Sequence, residues 1–167
     1  ATIQHLLPIV QRRIRWEEKD CRLILVGTHG EVAKGHLNAK KPLVQPVPPG
    51  TLVLGHELHR ALGLEVGQSV TLQGRPFTVH RVHEQRGNQD DITAWIDLAA
   101  AQEIFGMAGQ VHAILALECM CAGAPGVATF QAEVERILPG VQVIELEAKA
   151  QARFEARGEL GATMAEA

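Results

Sequence analysis

Eight histidines and three cysteines are the side chains best suited to chemistry in this 167-residue sequence. His56 and His59 stand three apart in a helical pattern and so share a face. His80 and His83 are also three apart, but on a strand running into a loop, where that spacing does not make them converge. With Asp91 nearby they could serve a metal enzyme, yet the HExxH and CxxC spacings of zinc sites are absent. The competing reading is of surface or half-buried histidines. Cys119-Met120-Cys121 is the most unusual local sequence. Residues two apart on a strand point to one side, so two thiols flanking a thioether could hold a soft ion such as Cu(I). Small residues at the edge of a core strand are the plainer reading, and one thiol could instead pair with Cys21. The disulfide or metal state of Cys21, Cys119 and Cys121 stays open. We assign no metal site, no catalytic residue and no cofactor.

Covalent catalysis finds no support. Ser69, the only serine, sits inside a strand pattern, and no G-x-S-x-G elbow is present. Phosphate-cradling glycine motifs are missing, and no tyrosine and two tryptophans make a poor aromatic platform. A formal net charge of −3 with dispersed basic residues excludes a nucleic-acid partner. The densest basic run, Arg12, Arg13 and Arg15, is followed by Glu17 and Glu18. It reads as a solvated helix face, with lipid headgroups as the other use of such a run. Asn88, Asp90, Asp91 and Trp95 are the candidate partner-binding residues, because a polar, glycine-led loop runs straight into a strand carrying a tryptophan. The alternative there is an Asx-type turn that starts a strand, with Trp95 in the core.

The elements that must position these residues follow from periodicity. Leu6, Leu7, Ile9, Val10 and Ile14 predict an amphipathic helix over 3–15, kinked or started by Pro8. The apolar run 21–27 predicts a central strand buried on both faces, and 28–50 a proline-stiffened loop. A strand over 51–54, a helix over 55–62 and a hairpin of 69–72 with 77–82 come next. Phe77, Val79 and Arg81 are expected on one face of that second arm, Thr78, His80 and Val82 on the other. A strand over 92–96 leads to a helix capped by Asp97 and stopped by Gly106, then a strand over 111–117. A helix over 126–138, a strand over 141–146 and a last helix over 147–157 complete the chain. This order predicts an α+β fold, a mixed sheet with helices packed against it. It also predicts one domain over 1–167, with a small lobe around 50–96. Residues 1–13 lack the order of a signal peptide, and no run reaches the ~20 apolar residues of a membrane span. Taken alone, the chain reads as soluble.

One ordered set of motifs resembles a known family. Gly50-Thr51-Leu52-Val53-Leu54-Gly55, the helix after it, and Leu62-Gly63-Leu64-Glu65-Val66-Gly67-Gln68-Ser69-Val70-Thr71-Leu72 are similar to the extracytoplasmic domain of FtsX/MacB-type ABC permeases. The hairpin Gln73-Gly74-Arg75-Pro76-Phe77-Thr78-Val79, the segment from Gly87 to Ile96, and Asp97-Leu98-Ala99-Ala100-Ala101-Gln102 continue the likeness, which covers roughly residues 21–146 in order. It departs from the large MacB-type domains in being shorter, and Cys119-Met120-Cys121 lies outside the pattern.

The resemblance implies a MacB-like periplasmic core, with N- and C-terminal helices leading to transmembrane spans. It implies a non-enzymatic, extracytoplasmic (periplasmic) domain of a bacterial inner-membrane permease. Its partners would be a separate cytoplasmic ATPase reached through those spans, a periplasmic or envelope protein, and a second copy in a homodimer. The domain would bind and transmit force. The alternative is a free-standing small-molecule or soft-metal-binding domain of double-psi-barrel-like type, since Leu62-Gly63-Leu64, Gly67 and Val70-Thr71-Leu72 also suit such a module.

Overall fold

The N-terminal segment is a strand, β1 (Ile3–Trp16), and not the helix its apolar spacing suggests. The computed structural model describes residues 3–30, 32–33, 45–118 and 127–143. Val10, Ile14 and Trp16 line up on one face of β1 at a period of two, but Arg12 interrupts them. Arg12 is accommodated because its guanidinium lies 5.1 Å from the centre of the Phe105 ring. Pro8 is tolerated because the ladder to the second strand starts at Ile9 and the one to the third at Leu6. Its missing N–H falls between them.

β2 (Cys21–Thr28) pairs antiparallel with β1 and is buried from Leu23 to Thr28, as a two-sided central strand requires. β3 (Val32–Ala33) continues along the same edge of β1. β4 (Thr51–Leu54) leads through Gly55 into α1 (His56–Leu62), which Gly63 ends in the left-handed region. β5 (Ser69–Leu72) and β6 (Arg75–Val82) form a two-residue hairpin. Gln73 and Gly74 both have positive φ, 52° and 73°, the geometry that matches strand twist. A 3-10 turn (Gln89–Ile92) precedes β7 (Thr93–Asp97). Asp97 caps α2 (Leu98–Phe105), accepting from the N–H groups of Ala99 and Ala100 at 3.0 and 3.4 Å. β8 (Ala113–Glu118) runs back along the free edge of β1.

These eight strands make one mixed sheet. β2–β7 and β4–β6 are parallel; β1–β2, β1–β3, β1–β8, β4–β7 and β5–β6 are antiparallel. The α+β fold expected from the sequence is the fold observed. The core is one layer between the sheet and the two helices, built on Trp16, Leu25, Leu52, Leu54, Leu72 and Ile96. At Gly27 a Cβ would lie 2.2 Å from Ala101 Cβ, so α2 rests directly on the β2 backbone. The sheet curls until its last strand reaches the far end of β1. There Trp16 Nε1 donates to the Thr71 carbonyl at 2.6 Å, and Gln73 Nε2 to the Arg15 carbonyl at 2.6 Å.

One hairpin expectation is corrected. The ladder shifts between Leu52, opposite Val79, and Val53, opposite Arg81. This bulge at His80 turns Val82 onto the core face and Arg81 away from it. The chain divides into two compact units, with Thr2–Cys119 as the larger. In the other, α3 (Val127–Ile137) stands where the helix over 126–138 was expected, but residues 141–143 are not a strand. The remainder of that expected strand, the 147–157 helix, Cys119 and Cys121 lie outside the described residues, as does most of the 28–50 loop.

Candidate functional site

Alternation gives the sheet two different faces. Leu23 and Leu25 of β2, Leu52 and Leu54 of β4, and Ala94 and Ile96 of β7 point into the core. Their neighbours Ile24, Val26, Thr93 and Trp95 point the other way. With Leu7, Ile9 and Gln11 of β1 and Leu115 of β8 they line a groove of about 220 Å³, rimmed by Gln89 and Asp90. The groove is mostly apolar, with polar groups at its edge, a composition suited to recognition.

The 86–92 segment overhangs this face and is tightly built. Asn88 Oδ1 accepts from the Asp90 N–H at 2.8 Å, and Thr93 Oγ1 donates to the Gln89 carbonyl at 2.7 Å. Asp91 is buried, and its two carboxylate oxygens accept from the N–H groups of Arg86 and Gly87 at 2.9 and 2.7 Å. These bonds, the one from Arg86 foremost, hold its carboxyl below the usual range against the opposing effect of burial. Asp90 points outward to Arg86 Nη1 at 2.8 Å. From beneath, the Gly55 N–H donates to the Thr93 carbonyl at 2.8 Å. A Cβ on Gly55 would lie 2.0 Å from the Asp90 carbonyl oxygen, so only glycine lets the β4–α1 joint approach the turn this closely.

Trp95 is half-buried, with the His83 ring edge-on at 4.9 Å and 90°. Burial pushes the His83 pKa down, and the charges of Arg86 and Arg81 add to this. Arg81 stands across Val53 from Trp95, and its Nε is buried without a hydrogen-bond partner among the described residues.

Of the residues singled out from the sequence, the structure brings Asp90 and Trp95 together on the groove, while Asn88 and Asp91 shape the turn behind it. The Asx-type turn is present as well: Asn88 makes it. His80 is exposed, His83 faces Trp95 and Asp91 is bonded to backbone, so these three do not converge. His59 Nδ1 hydrogen-bonds the Leu64 carbonyl at 2.6 Å, within its own connection. Among the described residues no group of three or more His, Cys, Asp or Glu could hold a metal ion. Among the described residues Cys21 is unpaired, and burial raises its thiol pKa. Sequence reasoning missed Leu7, Ile9 and Gln11 because it read β1 as a helix. The alternation Ile9, Gln11, Arg13, Arg15 was the signal that could have found that face.

No family model matches this sequence. No curated protein matches it either. Among solved structures, the chain is similar to the crystal structure of the extracellular domain of the noncanonic ABC-type transporter YknZ from Gram-positive bacteria. The TM-score is 0.55 at 16 % identity, over 81 % of this chain and 74 % of that one. The likeness is one of fold: the mixed sheet and helices described above are arranged as in the extracellular domain of an ABC-type transporter.

Proposed function

We propose that this chain is the extracytoplasmic domain of an ABC-transporter permease of FtsX/MacB type, a module that binds a partner outside the membrane and transmits force. The observation that carries this reading is the fold likeness to a transporter's extracellular domain over 81 % of the chain. The ordered motifs from Gly50 to Gln102 support it independently. The partner contact is the groove and its overhang, with Asp90 and Trp95 reaching the partner and Asn88 and Asp91 holding the turn in place. Membrane spans adjoining the domain link it to a separate cytoplasmic ATPase, whose closure moves the domain against its periplasmic or envelope partner. The domain carries out no turnover of its own.

The parent gene, read through both ends of this segment, tests the proposal. Runs of ~20 apolar residues on both sides support it, and polar flanks on both sides overturn it. In cells, trimming the 87–91 loop is expected to abolish transport, and full transport by the trimmed protein would remove the overhang from the mechanism.

A further inference from the structure

The strand geometry of β1 regroups the arginines. Arg13 and Arg15 fall on the groove face, two and four residues beyond Gln11, while Arg12 turns to the core side against Phe105. On β2, Arg22 stands on that same face, two residues before Ile24 and directly opposite Arg15. Arg13 is paired with Ile24, which lines the groove, and is the diagonal neighbour of Arg22. All three arginines are exposed. Arg15 is held by Glu17 at 3.4 Å and by Asp20. Arg13 and Arg22 form no ion pair among the described residues. The apolar groove therefore runs, within about 7–14 Å along the strands, into a basic strip. Like charges placed directly opposite in a ladder oppose folding, so fold stability does not account for Arg22 opposite Arg15.

We infer that this face receives an amphipathic segment of an acidic partner protein, its apolar side chains in the groove and its carboxylates on Arg13 and Arg22. Charge complementarity selects an acidic occupant, and the apolar lining selects one that also carries hydrophobic side chains. The choice of a protein over lipid headgroups rests on the proposed function. If a span adjoins the start of β1, Arg13 and Arg22 lie roughly 35–40 Å along the strand from it, beyond reach of that bilayer surface.

The test uses the 167-residue chain and Trp95 emission, with Trp16, fully buried, as a constant background. The probes are a synthetic peptide with an apolar half followed by a run of glutamates, its lysine counterpart, and vesicles of phosphatidylglycerol or phosphatidylcholine. The glutamate peptide is expected to change Trp95 emission, the lysine peptide not to, and added salt to weaken the effect. Combined Arg13→Glu and Arg22→Glu should weaken binding at least about tenfold, the sum of two surface charge reversals. Arg60→Glu, at the exposed end of α1, should leave it unchanged. Because Arg22→Glu relieves the opposition to Arg15, its Tm should hold or rise while binding falls, which separates lost recognition from lost folding. Equal response to both peptides would overturn the inference. So would binding of phosphatidylglycerol vesicles alone, or a dimer that the double variant dissolves without any peptide response. Apolar flanks in the parent gene combined with such a result would remove the acidic partner and leave the transporter reading standing.

Discussion

The two tryptophans sit on opposite faces of one sheet, and they are used differently. Trp16 is fully buried in the core, with its indole N–H bonded to the Thr71 carbonyl across the curl of the sheet. Trp95 is half-buried on the groove, with a histidine against its edge. The core face spends its large side chains on closure; the groove face keeps one accessible. Truncation should therefore separate them. Trp16→Ala is expected to cost about 3–5 kcal/mol, because it removes a fully buried core side chain together with its hydrogen bond to the Thr71 carbonyl. Trp95→Ala should cost less, about 1–2 kcal/mol, since part of its surface already meets solvent. Urea unfolding at neutral pH measures both, and equal losses would mean that the groove face is core as well.

A smaller effect sharpens the core side of the comparison. Gly27→Ala places a methyl group 2.2 Å from Ala101 Cβ, so α2 must lift off β2. Overpacking of this kind costs about 1–3 kcal/mol. Adding Ala101→Gly should recover most of the loss, less about 1 kcal/mol for glycine in a helix. No recovery in the double variant would show that the contact is not the cause.

These two faces also explain what the sequence made legible. The core face was readable where an apolar stretch is bounded by clear start and stop residues: the strand over 51–54, between Gly50 and Gly55, and the helix between Asp97 and Gly106 stand where expected. β1 was not, because Arg12 breaks its apolar alternation and Leu6, Leu7, Ile9 and Val10 satisfy helix and strand periods alike. The bulge at His80 was equally hidden, since it is set by the pairing of β4 with β6 and not by any local turn residue. The candidate site was legible only as its loop. Asp90 and Trp95 are near one another in sequence, whereas Ile9, Gln11 and Leu115 join them only through the pairing of β1 with β2 and β8 and of β2 with β7.

Titration gives a gentler probe of the groove face. His83 has a folded pKa below its unfolded value of about 6.5, because burial and the arginines Arg81 and Arg86 disfavour its charged form. The unfolded chain thus binds the proton first. The stability this histidine contributes is complete above about pH 6.5 and is lost as pH falls through the folded pKa. Thermal unfolding should show Tm declining below about pH 6.5 in the parent protein and declining less in His83→Gln. Asp91 acts in a separate window: its depressed pKa confers stability that is lost only below about pH 4. Identical profiles for the parent and His83→Gln would remove His83 from the balance.

The smallest expected effect on stability is also the sharpest test of function. Asp90 and Asp91 are adjacent, but Asp91 is buried and bonded to two backbone N–H groups, while Asp90 makes one exposed ion pair with Arg86. Such a pair contributes about 0–1 kcal/mol, and Asp90→Ala should leave the unfolding midpoint nearly unchanged. Asp91→Ala should loosen the whole turn, because the Arg86 and Gly87 N–H groups lose their acceptor. Any transport defect in Asp91→Ala is therefore ambiguous between shape and contact. A defect in Asp90→Ala is not, because the turn behind it is intact. Transport in cells that falls for Asp90→Ala at unchanged stability places the partner on the overhang; full transport moves the contact to the groove floor.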